Sequence, residues 1–187
     1  LKKYLKNLPK QSYVFYEDGC FHNEKNSSLV KDYLFDTVDI CSMNQNEFKE
    51  VVGNYEFLSN PTKLFNCLEL FYRKYSLKLI ILHTSFWSLS YGYRAKLFSK
   101  CLTNGILMSS CRMLFGDSIT KVEIAKVKKM NPSKCGTKFS NDVNKIGGNM
   151  ICCIPSFDLS HDNATTIGLG DFFVGGFLPY LNKLIKS

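Results

Sequence analysis

The stretch GLGD, residues 168–171, combines two glycines and an acid at the predicted start of a helix. The first backbone amides of a helix lack intrahelical partners and lie at its positive end, so they attract an anion such as a phosphate. Gly168 and Gly170 would let that anion approach the backbone closely. Asp171 then has two interpretations, because it either caps the helix or accepts the proton of a substrate hydroxyl during phosphoryl transfer. The four residues alone do not decide between them.

Further polar residues follow predicted strands. Asn44 and Glu47 are three residues apart in the first turn of a predicted helix, so they would either hold a hydrated Mg²⁺ with their oxygens or form a capping box. Glu17 ends one strand, and His83 and Thr84 end another. A histidine in such an apolar strand is either a core residue or part of a site. Convergence at the strand ends favours a site.

The elements that must position these residues alternate along the chain. Apolar patterns and caps predict strands at 12–17, 37–43, 77–84 and 149–156, and helices at 26–35, 44–53, 61–75, 93–116 and from GLGD onward. Residues 128–148, rich in Asn, Pro, Gly and Lys, are interpreted as a long surface connection. This alternation predicts an α/β protein with a parallel sheet, helices on both faces and ligands at the carboxyl ends of the strands.

Composition excludes several function classes. The chain has 187 residues and a net charge of +8, but its lysines are scattered over 2–10, 121–129 and 183–186 without a nucleic-acid-binding signature. We therefore predict no nucleic-acid partner and interpret the charge as a solvated surface that also favours phosphorylated ligands. Eight cysteines without a CxxC pair favour a reducing, cytoplasmic location. The apolar stretches are too short to predict a membrane span, and Leu1 in place of Met suggests a chain that begins within a longer protein.

The ordered motifs resemble the C-terminal part of the ADP-dependent glucokinase and phosphofructokinase family, sugar kinases of ribokinase-like fold. TIGLGD at 166–171 is similar to the family's closing Thr-Val-Gly-Leu-Gly-Asp block, and NQNE at 44–47 matches its Asn-x-x-Glu motif. IILHTSFWSLSYGY at 80–93 resembles its strand ending in His-Thr. FYE at 15–17 keeps the acid of its His-x-Glu motif but has Phe15 in place of the histidine. Phe172 stands where the family usually has a small polar residue.

The resemblance implies a three-layer αβα fold with a mostly parallel sheet. Residues 1–187 would form the C-terminal part of a single nucleotide-binding and catalytic domain, and the small lid domain would lie outside this sequence. The implied reaction transfers the β-phosphoryl group of ADP to a hexose or hexose phosphate and releases AMP, with Mg²⁺ as cofactor. The residues do not separate glucose from fructose 6-phosphate. An ATP-dependent ribokinase-type kinase and a non-catalytic nucleotide-binding relative remain the alternatives.

The resemblance also implies a role for each motif residue. Asp171 would be the general base, and the amides of Gly168, Leu169 and Gly170 would form the anion hole for the phosphoryl group. The metal would be organised through water by Glu17, Asn44 and Glu47. Nucleotide contacts would come from His83, Thr84, Thr166 and Ile167.

Overall fold

Five strands form one sheet in the computed structural model, which describes residues 1–19, 24–159 and 167–185. The strands lie side by side in chain order: β1 Phe15–Glu17, β2 Ile40–Asn44, β3 Leu79–His83, β4 Trp87–Gly92 and β5 Ile151–Pro155. β1, β2 and β3 are parallel, whereas β4 is antiparallel to both of its neighbours. Four strands therefore point the same way, and the prediction of a mostly parallel sheet is confirmed.

The predicted strict alternation of strand and helix is wrong at β4. The chain folds back directly after β3, and Leu82 pairs with Leu89 in the resulting hairpin. Thr84 forms the turn, since its hydroxyl donates to the carbonyl of Trp87 at 2.7 Å and accepts from the Trp87 amide at 3.1 Å. A threonine side chain therefore replaces the Gly or Asn pair that usually marks a hairpin in sequence.

Eight α-helices occur in the described residues. They are α1 Lys2–Lys6, α2 Glu24–Leu34, α3 Gln45–Val52, α4 Pro61–Tyr75, α5 Ser99–Phe115, α6 Lys121–Val127, α7 Lys134–Gly147 and α8 Leu169–Ile185. The bounds of α3 and α4 agree closely with the prediction because both helices carry local caps. Asn44 caps the start of α3, and Gly53 in a left-handed conformation follows its last residue. Asn60 caps α4, which begins with Pro61.

The surface connection predicted at 128–148 is wrong, because most of it is α7. Ser133 caps this helix, and Phe139 and Val143, four residues apart, are buried against the sheet. Gly136 lies against the backbone of Phe86, and a Cβ there would be 2.2 Å from the Phe86 carbonyl oxygen. The glycine that resembles a loop residue in the sequence thus permits close packing of a helix.

The sheet separates two apolar cores, as a three-layer αβα fold requires. Alternate residues of a strand face opposite sides, so Cys41 and Met43 pack towards α4 and α7, whereas Ile40 packs towards α5 and α8. The second core holds Phe173 and Phe177 of α8. No helix in the described ranges has both the length and the apolar character needed to cross a bilayer.

Candidate active site

Three of the predicted site residues lie together at one edge of the sheet. Glu17, Asn44 and His83 are the last residues of β1, β2 and β3. Asn44 pairs with His83 in the strand register, and Glu17 pairs with Ser42 one strand away. Because side chains alternate along a strand, Glu17, Ser42 and His83 share the face that carries α5 and α8. The parallel strands therefore bring an acid and an imidazole to the same place from residues 66 positions apart.

Glu17 and His83 are in direct contact. The Nε2 atom of His83 lies 3.1 Å from Oε1 of Glu17. In the tautomer that carries its hydrogen on Nε2, the imidazole donates a hydrogen bond to the carboxylate. The His83 ring is buried and stacks on Phe173 with 4.5 Å between ring centroids. The side chain of Phe15 packs against Phe177 at 5.9 Å in the core. The imidazole that accompanies Glu17 in this chain is therefore the one of His83.

Two buried polar atoms at this edge have no hydrogen-bond partner among the described residues. They are Oε2 of Glu17 and Oγ of Ser42, on residues that pair across β1 and β2. Buried polar atoms are almost always paired with protein groups, water or a ligand. Water or a bound group between these strands and α8 would supply the partner that the protein does not provide.

The start of α8 lies directly on this polar edge. Gly168 has a φ of +76°, in the left-handed region that glycine tolerates best, and the helix begins at Leu169. A Cβ at Gly170 would be 3.7 Å from Oε1 of Glu17 and 3.8 Å from the His83 ring. The first amides of α8 have no intrahelical acceptor, so an anion-binding helix start stands beside the strand ends.

Asp171 is the third residue of α8 and is exposed. The residue that precedes the helix is Gly168, so Asp171 does not occupy the N-cap position proposed as one of its interpretations. Its Oδ2 atom is 3.9 Å from the point that a Cβ on Gly168 would take. The carboxylate is therefore near the left-handed turn and accessible to a ligand. Its role as a base stays a prediction.

Asn44 and Glu47 form the capping box that was one interpretation of their spacing. Oδ1 of Asn44 accepts from the Glu47 amide at 3.1 Å, while Oε2 of Glu47 accepts from the Asn44 amide at 2.6 Å. Glu47 is only 3% exposed. Burial raises the pKa of Glu47 to about 7, against a lowering by the hydrogen bond from the Asn44 amide, and the charges of Asp18 and Glu17 raise it further. Metal binding by this pair stays a prediction.

The predicted nucleotide contacts are spread over three places. His83 is buried beside Glu17, and the Thr84 hydroxyl is engaged in the β3–β4 turn. Ile167 is 78% exposed in front of α8. Thr166 lies outside the described residues. Their contact with a nucleotide stays a prediction.

Arg112 was not identified from the sequence, yet it reaches the same turn from the last turn of α5. Its Nε donates to the carbonyl oxygen of Ile167 at 3.3 Å, and its guanidinium lies 5.2 Å from the centre of the Phe172 ring. Its Nη1 forms an ion pair with Asp117. The 55 residues between Arg112 and Ile167 explain why no local signal revealed this contact.

A buried ion pair, also unpredicted, supports β1 from the other face of the sheet. Nζ of Lys31 in α2 lies 2.6 Å from Oδ2 of Asp18, and both side chains are almost fully buried. Oδ1 of Asp18 accepts from the Tyr16 hydroxyl at 2.9 Å. Burial raises the pKa of Tyr16 well above its usual range, and the Asp18 carboxylate adds to this rise. The pair anchors the segment that ends in Glu17.

No family model and no curated protein matches the chain in sequence comparison. Solved structures do match. A phosphofructokinase from Pyrococcus horikoshii OT3 with AMP has a TM-score of 0.75 and 16% identity, over 94% of this chain and 43% of that chain. A last common ancestor of ADP-dependent phosphofructokinases from Methanosarcinales has a TM-score of 0.74 and 14% identity over the same shares. An ADP-dependent kinase in complex with fructose-6-phosphate and ADPbetaS has a TM-score of 0.74 and 15% identity, over 94% and 46%.

The chain therefore has the fold of the ADP-dependent kinases, and the resemblance inferred from its motifs is confirmed at the level of the fold. It spans less than half the length of these structures. The TM-scores of 0.74–0.75 establish the architecture, and the identity of 14–16% leaves the chemistry to be inferred from the residues.

Proposed function

We propose that the complete protein is an ADP-dependent sugar kinase. The observation that carries this proposal is the start of α8, where the left-handed turn at Gly168 and the acid Asp171 flank Gly170, which lies against Glu17 and His83 at the strand ends. The shared fold supports the choice among phosphoryl-transfer enzymes, since the similar structures are named as ADP-dependent kinases and phosphofructokinases.

The proposed reaction is an in-line displacement. A hydroxyl oxygen of a hexose or hexose phosphate attacks the β-phosphorus of ADP, and the bond from that phosphorus to the bridging oxygen breaks. AMP leaves with the electron pair, and Asp171 takes the proton of the attacking hydroxyl. The amides of Gly168, Leu169 and Gly170 donate hydrogen bonds to the phosphoryl oxygens as charge spreads over them. The exposure of Asp171 supports this role because its carboxylate is accessible to a substrate hydroxyl.

Mg²⁺ fits the polar edge of the sheet. Glu17 has a buried carboxylate oxygen without a partner among the described residues, and such hard oxygens are the ligands that Mg²⁺ prefers, directly or through water. Asn44 ends the neighbouring strand β2, Glu47 lies in the first turn of α3, and both would contact the ion's water molecules. The ion would neutralise part of the charge of the diphosphate. Within the described residues there is no group of three or more His, Cys, Asp and Glu side chains that could hold a metal ion.

Fructose 6-phosphate is the first acceptor to examine, since similar structures are phosphofructokinases and one contains this sugar phosphate. The experiment uses the complete protein with fructose 6-phosphate or glucose, and with ADP or ATP, and measures AMP by chromatography. We expect AMP to form in proportion to sugar phosphate with ADP. Transfer from ATP but not from ADP would instead indicate the ribokinase-type reaction. Nucleotide binding without transfer from either donor would indicate a non-catalytic relative.

A further inference from the structure

Arg112 places a guanidinium at the turn that precedes α8. Its side chain is 14% exposed, whereas that of its ionic partner Asp117 is 87% exposed. An ion pair with such an exposed acid contributes little stability because water screens it. Among the described residues, the guanidinium is therefore held in place mainly by the Ile167 carbonyl and the face of the Phe172 ring.

The guanidinium retains unused hydrogen-bond donors. An arginine has five N–H groups, and the contacts to described residues engage only Nε and Nη1. Nη2 of Arg112 has no hydrogen-bond partner among those residues. A planar guanidinium with free donors suits a phosphoryl group, which accepts several parallel hydrogen bonds.

The position of the guanidinium relative to the proposed base is close. A Cβ on Gly168 would be 3.9 Å from Nε of Arg112 and 3.9 Å from Oδ2 of Asp171, so both groups lie within 4 Å of one point at the turn. A phosphoryl group on the amides of residues 168–170 would therefore have a carboxylate and a guanidinium next to it. The guanidinium offsets the repulsion between the phosphoryl oxygens and Asp171.

We infer that Arg112 is a further catalytic residue, which binds the β-phosphoryl group of the donor during transfer and exchanges the exposed carboxylate of Asp117 for it. This inference rests on the proposed function. It also gives Phe172 a role, because the aromatic ring that departs from the family pattern forms the surface on which the guanidinium lies.

Paired nucleotides test this inference. AMP lacks the β-phosphoryl group, so Arg112→Gln should weaken ADP binding at least 10-fold and leave AMP binding within 2-fold of the parent, as about 1.5–3 kcal/mol for a charged hydrogen bond implies. Turnover with ADP and sugar should fall on the order of 10²-fold. Arg112→Lys, which keeps the charge but not the fork, should retain part of both. Arg73→Gln, an exposed arginine of α4, is the matched control.

The pattern of losses decides the inference. A loss specific to ADP, with unchanged thermal stability in Arg112→Gln, supports direct contact with the β-phosphoryl group. Equal losses for ADP and AMP, or none, overturn the inference, because Arg112 would then only fix the loop before α8. Phe172→Leu provides a second variant if Arg112→Gln does not fold. Its loss of ADP binding should exceed its loss of AMP binding by about 3-fold or more. If the parent itself neither binds nor uses ADP, the proposed function fails independently of Arg112.

Discussion

Replacement of Glu47 by glutamine should change how stability depends on pH. The folded protein holds the Glu47 proton more tightly than the unfolded chain does, because burial raises the pKa from 4.5 to about 7. The ionised side chain is therefore disfavoured on folding. Its contribution to the free energy of unfolding is most favourable below pH 4.5, falls as the pH rises and levels off above about pH 7. The difference of about 2.5 pKa units corresponds to about 3 kcal/mol.

Glutamine keeps the shape and an acceptor for the capping box but does not titrate. As the pH rises from 4 to 8, we expect the free energy of unfolding of Glu47→Gln to increase by about 3 kcal/mol relative to that of the parent. The assay is urea unfolding in EDTA, followed by the fluorescence of Trp87, which is fully buried. Glu50→Gln, an exposed acid of the same helix, is the control and should follow the parent at each pH. A parent-to-variant difference that stays constant with pH would refute the raised pKa.

The same variant tests the proposed metal. If Glu47 contacts hydrated Mg²⁺, the ion should stabilise the parent at pH 8 by binding the folded state, and should stabilise Glu47→Gln much less. Equal stabilisation of both proteins would leave Glu47 with the capping role alone.

Two further predictions concern the interior of the protein, one its packing and one its buried ion pair. Gly105→Ala should destabilise the protein by about 1–3 kcal/mol, since a Cβ there would be 2.7 Å from the Phe173 ring. Gly175 is the control, because a Cβ there would meet nothing within 4 Å. In the same urea assay, Gly175→Ala should be neutral or stabilising by up to about 1 kcal/mol. Equal effects would contradict the close approach of α5 and α8. Lys31→Gln should cost about 3–5 kcal/mol by leaving Asp18 buried without its cation, and a loss under about 1 kcal/mol would indicate that water reaches the pair.

The sequence predicts those elements whose signals are local. The Asn44 cap and the glycine at position 53 define α3, and the continuous apolar run at 77–84 predicts the buried strand β3. The sequence does not reveal α7, because Gly136 resembles a loop residue. Only the fold shows that this glycine packs against the backbone of Phe86. Local patterns identify glycines, but only packing reveals whether a glycine breaks a helix or lets it approach a neighbour.

The candidate site divides in the same way. Glu17, Asn44 and His83 could be expected together because parallel strands end at one edge. The pairing of His83 with Glu17 and the reach of Arg112 depend on contacts between residues 66 and 55 positions apart, for which the sequence has no periodicity. The raised pKa of Glu47 likewise depends on burial that only the folded chain defines.

The central claim is that Asp171 is the base of an ADP-dependent phosphoryl transfer, and the kinetics of Asp171→Asn test it most directly. Asparagine keeps the shape but cannot take the hydroxyl proton, so kcat for AMP release should fall on the order of 10²–10⁴-fold, while ADP and sugar still bind. Stability should change by less than about 1 kcal/mol, since the exposed carboxylate makes no hydrogen bond or ion pair with the described residues and its place in the first turn contributes mainly through the helix dipole. Asp142→Asn on α7, beyond the opposite face of the sheet, should match the parent. Turnover of Asp171→Asn within a few-fold of the parent would contradict the claim and make the aspartate a structural part of a phosphate-binding helix start.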